Sequence, residues 1–267
     1  MKSVPINRQR IVRASSTTAL HRHWFRSFIL MASFGLIVIA PPGFTQSGVA
    51  PREPASTLGA PPSLLIPNSA TNLPVKSLGE GRWQLGEVLI DKNDRSVTFP
   101  AVVNMNSSVV EYFAVATGGK THESVLRTDA RPFDIHVGML LLGAKGATSA
   151  DPAVFFDPKQ KTPGDEIDVL LRYDDEGRSV IHPAASWIHN AETKTTMTAG
   201  PWAYNGSQVI EGGFVAQREG SIVSLISDPY ALVNNPRQGH ENDEIWRVNT
   251  NAVPALNTRV DVTLRLK

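Results

Sequence analysis

The chain has 267 residues, 41% of them hydrophobic, which suits a globular core of one or two domains. It contains no cysteine, which excludes disulfides, a thiol nucleophile, cysteine-ligated zinc and a cysteine-held iron–sulfur cluster. The net charge of +1 hides an asymmetry: six of the 26 basic residues fall in the first 47 positions, which hold no acid, leaving 20 basic against 25 acidic residues beyond them. That acidic remainder lacks the basic footprint of a nucleic-acid binder, so no nucleic-acid partner is expected.

Residues 1–26 are basic and acid-free, residues 28–40 are an apolar run, and Thr45 and Ser47 are small enough for a cleavage site. Residues 1–47 therefore read as a secretory signal. The apolar run is shorter than the roughly 20 residues of a spanning helix. The alternative is an uncleaved anchor. The expected location is periplasmic or secreted, or else the inner membrane through residues 28–40, with membrane contact through that segment alone. Residues 48–80 carry Pro51, Pro54, Pro61, Pro62, Pro67 and Pro74 with few aromatics. Such a composition cannot offset chain entropy by burial and reads as a disordered linker.

The folded domain is expected over 81–267. Trp83, Leu85, Val88 and Ile90 predict a first strand, and Asp91-Lys92-Asn93-Asp94 a turn into a hairpin partner at 97–99. Pro100 implies a bulge or an edge before Val102-Val103. Residues 109–117 are apolar on both alternating faces, the pattern of a strand covered on both sides. After Gly118-Gly119, Thr128 or Asp129 can cap a helix running to Gly143; being apolar nearly all round, it belongs in the interior. Phe155-Phe156 suggest a hydrophobic plug in the next loop. Residues 166–173 alternate into a strand, 179–189 supply its partner, and 202–205, 208–217 and 221–226 read as a meander. A helical turn is expected over 228–233, a polar loop over 234–243 and a half-buried strand over 259–266. The sum is a single β-rich α+β domain, antiparallel and sandwich-like, with one main buried helix around 130–143.

The chemistry concentrates in Lys120, Thr121, His122, Glu123 and His136. In the helical zinc pattern, a second histidine follows His-Glu by three positions; here Leu126 stands there. His122, Glu123 and His136 would form a divalent-metal site if the strand end met the helix, with Asp134 as a further acid. The alternative makes His136 a core histidine and His122-Glu123 a turn. Gly118-Gly119-Lys120-Thr121 falls short of a phosphate loop, because position 114 is alanine and no helix follows directly. His240, beside Glu241, Asp243 and Glu244, reads as part of a solvated loop. No nucleophile elbow or dinucleotide glycine fingerprint is present.

Gly-Lys-Thr-His-Glu-Ser at 119–124, the run 126–132, and Ile-His-Val-Gly-Met-Leu-Leu-Leu-Gly at 135–143 resemble the YdjY-domain family. Pro201-Trp202, Gly206-Ser207, Glu219-Gly220-Ser221, Val248-Asn249 and Val253-Pro254 extend the likeness from about residue 85 onward. The resemblance implies an envelope-protein context and no particular activity. Some relatives carry ferredoxin-like descriptions, which cannot mean a cysteine-ligated cluster here. The expectation is an exported, non-enzymatic binding or scaffold domain of the cell envelope, with an envelope protein or polysaccharide as partner. The alternative is a metal-dependent hydrolase-like enzyme using His122, Glu123 and His136.

Overall fold

The computed structural model describes residues 75–147 and 151–267. The segment expected to be a signal, and the expected linker up to residue 74, lie outside the described residues. In chain order the strands are β1 (Val75–Gly79), β2 (Arg82–Leu85), β3 (Val88–Asp91), β4 (Ser96–Val103), β5 (Tyr112–Ala116), β6 (Ser124–Thr128), β7 (Asp165–Asp175), β8 (Arg178–Pro183), β9 (Ile188–Asn190), β10 (Thr195–Thr196), β11 (Trp202–Tyr204), β12 (Val209–Ile210), β13 (Gly213–Phe214), β14 (Ser221–Ser224), β15 (Val233–Asn234), β16 (Trp246–Val248) and β17 (Arg259–Leu266). The helices are α1 (Pro132–Leu141) and α2 (Val215–Glu219), with a 3-10 turn at Thr121–Glu123.

The β-rich single domain is as expected, but it is a closed barrel and not a sandwich. Strands β4–β17–β7–β11–β15–β14–β5–β6 follow one another, and β6 pairs back onto β4. Closure depends on β4 serving two partners along one edge. Strand β3 takes Ser96 to Thr98 and β6 takes Val102 and Val103, while β17 fills the opposite edge. Pro100 falls between the two partners. Its carbonyl accepts from Thr128 Oγ1 on the β6 side, so the N–H it lacks would have pointed into the gap and no ladder bond is lost.

Alternation fills the interior. Val97, Phe99, Ala101 and Val103 of β4, Ile167, Val169 and Leu171 of β7, and Val260, Val262, Leu264 and Leu266 of β17 are all buried. An eight-stranded barrel is just wide enough for such side chains to fill it. Phe113 anchors the aromatic part of the core, its ring 6.4 Å from Trp187 and 6.2 Å from Trp202.

Several elements differ from expectation for local reasons. Strand β1 lies inside the stretch read as linker, so the fold starts before residue 81. All five of its residues are exposed and only backbone pairing to β2 holds it, so composition carries no trace of it. Residues 208–217 form the short β12–β13 hairpin and enter α2, instead of making a meander strand. The helical turn expected at 228–233 is a bend leading into β15, a two-residue strand too short for any periodicity. Helix α1 is buried on one face only. Gly138 lets it sit tightly on the sheet, where a Cβ would come within 3.0 Å of Val97 and 3.2 Å of Ile90. On its outer side Leu140 and Leu141 are exposed. Its cap is Arg131, not Thr128 or Asp129, and Gln217 of α2 accepts from the Phe133 amide in place of a capping side chain. Phe155 is buried as a plug, whereas Phe156 is exposed.

Candidate functional site

Strands β5 and β6 run parallel as neighbours, with Tyr112 opposite Ser124 and Ala116 opposite Thr128. Residues 117–123 must therefore carry the chain back along the whole of β5. Parallel neighbours ordinarily need a dozen or more residues for this. The short return works because it presses directly on the backbone at the start of β14. A Cβ on Gly119 would lie 2.9 Å from the Glu219 carbonyl oxygen, and one on Gly220, at φ +74, would lie 2.8 Å from Gly119 Cα. Glycine is required on both sides of the contact. The residue after each glycine, Lys120 and Ser221, is thereby delivered to Tyr112.

Lys120 Nζ donates to the Tyr112 hydroxyl at 2.6 Å. The hydroxyl passes its own proton toward Asp228 Oδ2 at 3.0 Å. Asp228 is fixed in turn, its Oδ1 accepting from the Tyr230 amide while its own amide donates to Asn234 Oδ1. Ser221 Oγ, fully buried and without a hydrogen-bond partner, lies beside the same hydroxyl. Burial first, and the Asp228 carboxylate second, push Tyr112 far above its ordinary pKa. Tyr112 is thus a neutral donor locked between a cation and an anion.

Around this chain runs a charged rim. Burial raises the pKa of Glu111, the Glu123 and Asp243 carboxylates raise it further, and Lys120 and His122 oppose them. His122 Nε2 is 3.4 Å from Glu123 Oε2, and the imidazole is 79% exposed. Exposed pairs of this kind contribute at most about 1 kcal/mol. Thr121 takes part through its carbonyl, which accepts from Asn104 Nδ2 at 2.6 Å.

Four of the five sequence candidates, Lys120 to Glu123, therefore share one place. His136 does not join them. It sits on α1, beyond the far end of β6, a strand spanning roughly 16 Å. Its Nδ1 is 2.7 Å from the Tyr204 hydroxyl and its ring is 4.8 Å from Phe214. Burial lowers its pKa to about 4. Asp134 instead pairs with Arg131 at 2.8 Å. Among the described residues, no three His, Asp or Glu side chains stand where one ion would be held.

A further polar pair lies in the loop read as solvated. His240 is buried, its Nδ1 2.7 Å from Ser227 Oγ, which is also 2.6 Å from the Phe155 carbonyl oxygen. A serine hydroxyl has one proton, and the carbonyl can only accept it. With that proton on the Phe155 carbonyl, His240 Nδ1–H donates to Ser227, the reverse of what a serine nucleophile needs.

Tyr112, Ser221 and Asp228 were missed as site residues. Tyr112 reads as one more apolar strand position, and Asp228 as part of a turn. The available signal was the pairing of Gly119-Lys120 with Gly220-Ser221, two glycine-polar steps far apart in the chain.

The YdjY domain model matches residues 88–265, from the first residue of β3 into β17. The chain belongs to the YdjY domain family. No curated protein and no solved structure matches it. The matched span of this YdjY domain contains seven barrel strands whole and β17 up to Arg265, together with α1 and the Lys120–Tyr112–Asp228 chain. Strands β1 and β2 lie outside it.

Proposed function

We propose that this YdjY domain is an exported, non-enzymatic binding or scaffold module of the cell envelope, connected to its N-terminal export segment by the proline-rich stretch. The observation that carries this reading is the 2.6 Å contact of Ser227 Oγ with the Phe155 carbonyl oxygen, which competes with His240 Nδ1 for the one hydroxyl proton. Where a hydroxyl and an imidazole meet in the manner of a nucleophile and its base, the hydroxyl proton is committed to a main-chain carbonyl. The Lys120–Tyr112–Asp228 chain supports the same reading. Tyr112 and Asp228 are each engaged by their neighbours, and burial keeps Tyr112 from becoming a base.

The test is an assay of the purified full chain against ester, peptide and glycoside substrates, with and without added zinc or manganese. The expected result is no turnover above buffer. Turnover lost in Lys120→Ala or His122→Ala would overturn the reading. Stoichiometric metal lost in His122→Ala by elemental analysis would point instead to a metal-dependent site on His122 and Glu123, without His136.

A further inference from the structure

Strand β10 and the loop at 237–242 face each other across a cleft of about 670 Å³. That falls within the ~300–1,000 Å³ range of small-ligand sites. Both walls are braced from below. Asn190 Oδ1 accepts from the Glu192 and Thr193 amides and sets the β9–β10 turn, and Trp246 Nε1 donates to the Gly239 carbonyl. The cleft is therefore formed before anything binds.

Arg237 is among its lining residues. The guanidinium stacks 4.9 Å from the ring of Trp202 and donates to the carbonyls of Thr198 and Gly200 and to Asn235 Oδ1. These three bonds go to neutral oxygens and leave two of its five N–H donors unspent. Among the described residues no carboxylate lies within ion-pair distance of it. A partly buried cation without an anion is unfavourable, and burial already lowers its pKa to about 10. Beside Asn190 and Thr193 of the β9–β10 turn, the lining offers the hydroxyls and amides of Thr195, Thr196, Thr198, Gln238 and Asn242. The apolar members, Met197 and Trp246, are buried and offer no socket for an apolar side chain. Glu192 and Glu241 also line the cleft, and Arg237 is the one cation among its lining residues.

We propose that this cleft binds an acidic glycan, one carboxylate of which pairs with Arg237 while the threonine, asparagine and glutamine side chains take up sugar hydroxyls. This rests on the binding reading above and names its ligand class. Planar guanidinium against carboxylate gives a two-point contact, and the uncharged polar residues of the lining match a chain whose other groups are hydroxyls.

The experiment is calorimetric titration of the full chain with tetragalacturonate, using maltotetraose, tetraglutamate and inorganic phosphate as the other arms. Tetragalacturonate should bind, more weakly as salt rises, and maltotetraose should not. Arg237→Gln should weaken binding by about tenfold or more, the loss of a charge-assisted contact. Because Arg237 also holds the 198–200 loop, Thr195→Trp is the second variant. It fills the cleft from an exposed position and should weaken binding to a similar degree with an unchanged melting temperature. No binding, equal binding of maltotetraose, preference for tetraglutamate or phosphate, or a Thr195→Trp protein that binds normally would each overturn the proposal. Cleavage of bound tetragalacturonate would leave this site standing and overturn the non-enzymatic reading instead.

Discussion

His136 shows how one residue couples the fold to pH. Its folded pKa of about 4 lies below the 6.5 of the unfolded chain, and burial is the whole cause. Below pH 6.5 the unfolded chain takes up a proton that the fold refuses, so stability is complete above that value and falls as pH drops toward 4. The full shift corresponds to about 3 kcal/mol. His240, also depressed by burial, acts in the same direction. Urea midpoints at pH 7 and pH 4.5 should differ markedly in the wild type and much less in His136→Phe. An unchanged pH dependence in the variant would show that the proton is held elsewhere. The sequence marked His136 as chemically notable, yet its neighbours Tyr204 and Phe214 come from strands far along the chain, Tyr204 being 68 positions on. What they make of it is a neutral, packed imidazole.

The return from β5 to β6 is decided at the level of elements. Gly118 and Gly119 read alike in the sequence, but only Gly119 touches another backbone; a Cβ on Gly118 would meet nothing within 4 Å. Gly220→Ala should therefore cost about 2 kcal/mol or more, from the left-handed φ and the collision with Gly119 together. Gly118→Ala should cost less than about 1 kcal/mol or even stabilise by restricting the unfolded chain. Chemical denaturation of the two variants beside the wild type checks both, and equal losses would rule out the close contact as the organising feature. Turn composition made the return legible. The second glycine, on the α2–β14 junction, was not, because nothing local distinguishes it from an ordinary helix-ending glycine.

At the scale of the molecule, the last strand closes the barrel. Strand β17 pairs with β4 on one side and β7 on the other along nearly its whole length. Removing residues 259–267 would leave both edges unpaired and the core open. The truncated protein should lose its near-ultraviolet dichroism and bind a hydrophobic dye, whereas a native-like spectrum would show that closure is dispensable. The alternation along β4, β7 and β17, the position of α1 and the β-rich class were readable directly, because a period of two or 3.6 belongs to the element itself. Basic and proline-rich runs likewise carry the export expectation in composition alone. Closure was not readable, since the same alternation satisfies a sandwich, and the β6–β4 bond that decides between them is made by backbone groups common to every residue. Nor was the meeting of Lys120, Tyr112, Ser221 and Asp228, where Tyr112 and Asp228 are 116 positions apart. Sequence by itself determined which surfaces must be buried; only the tertiary structure decided which buried surfaces face each other, because that choice rests on strand pairing and backbone contacts that no side-chain pattern encodes.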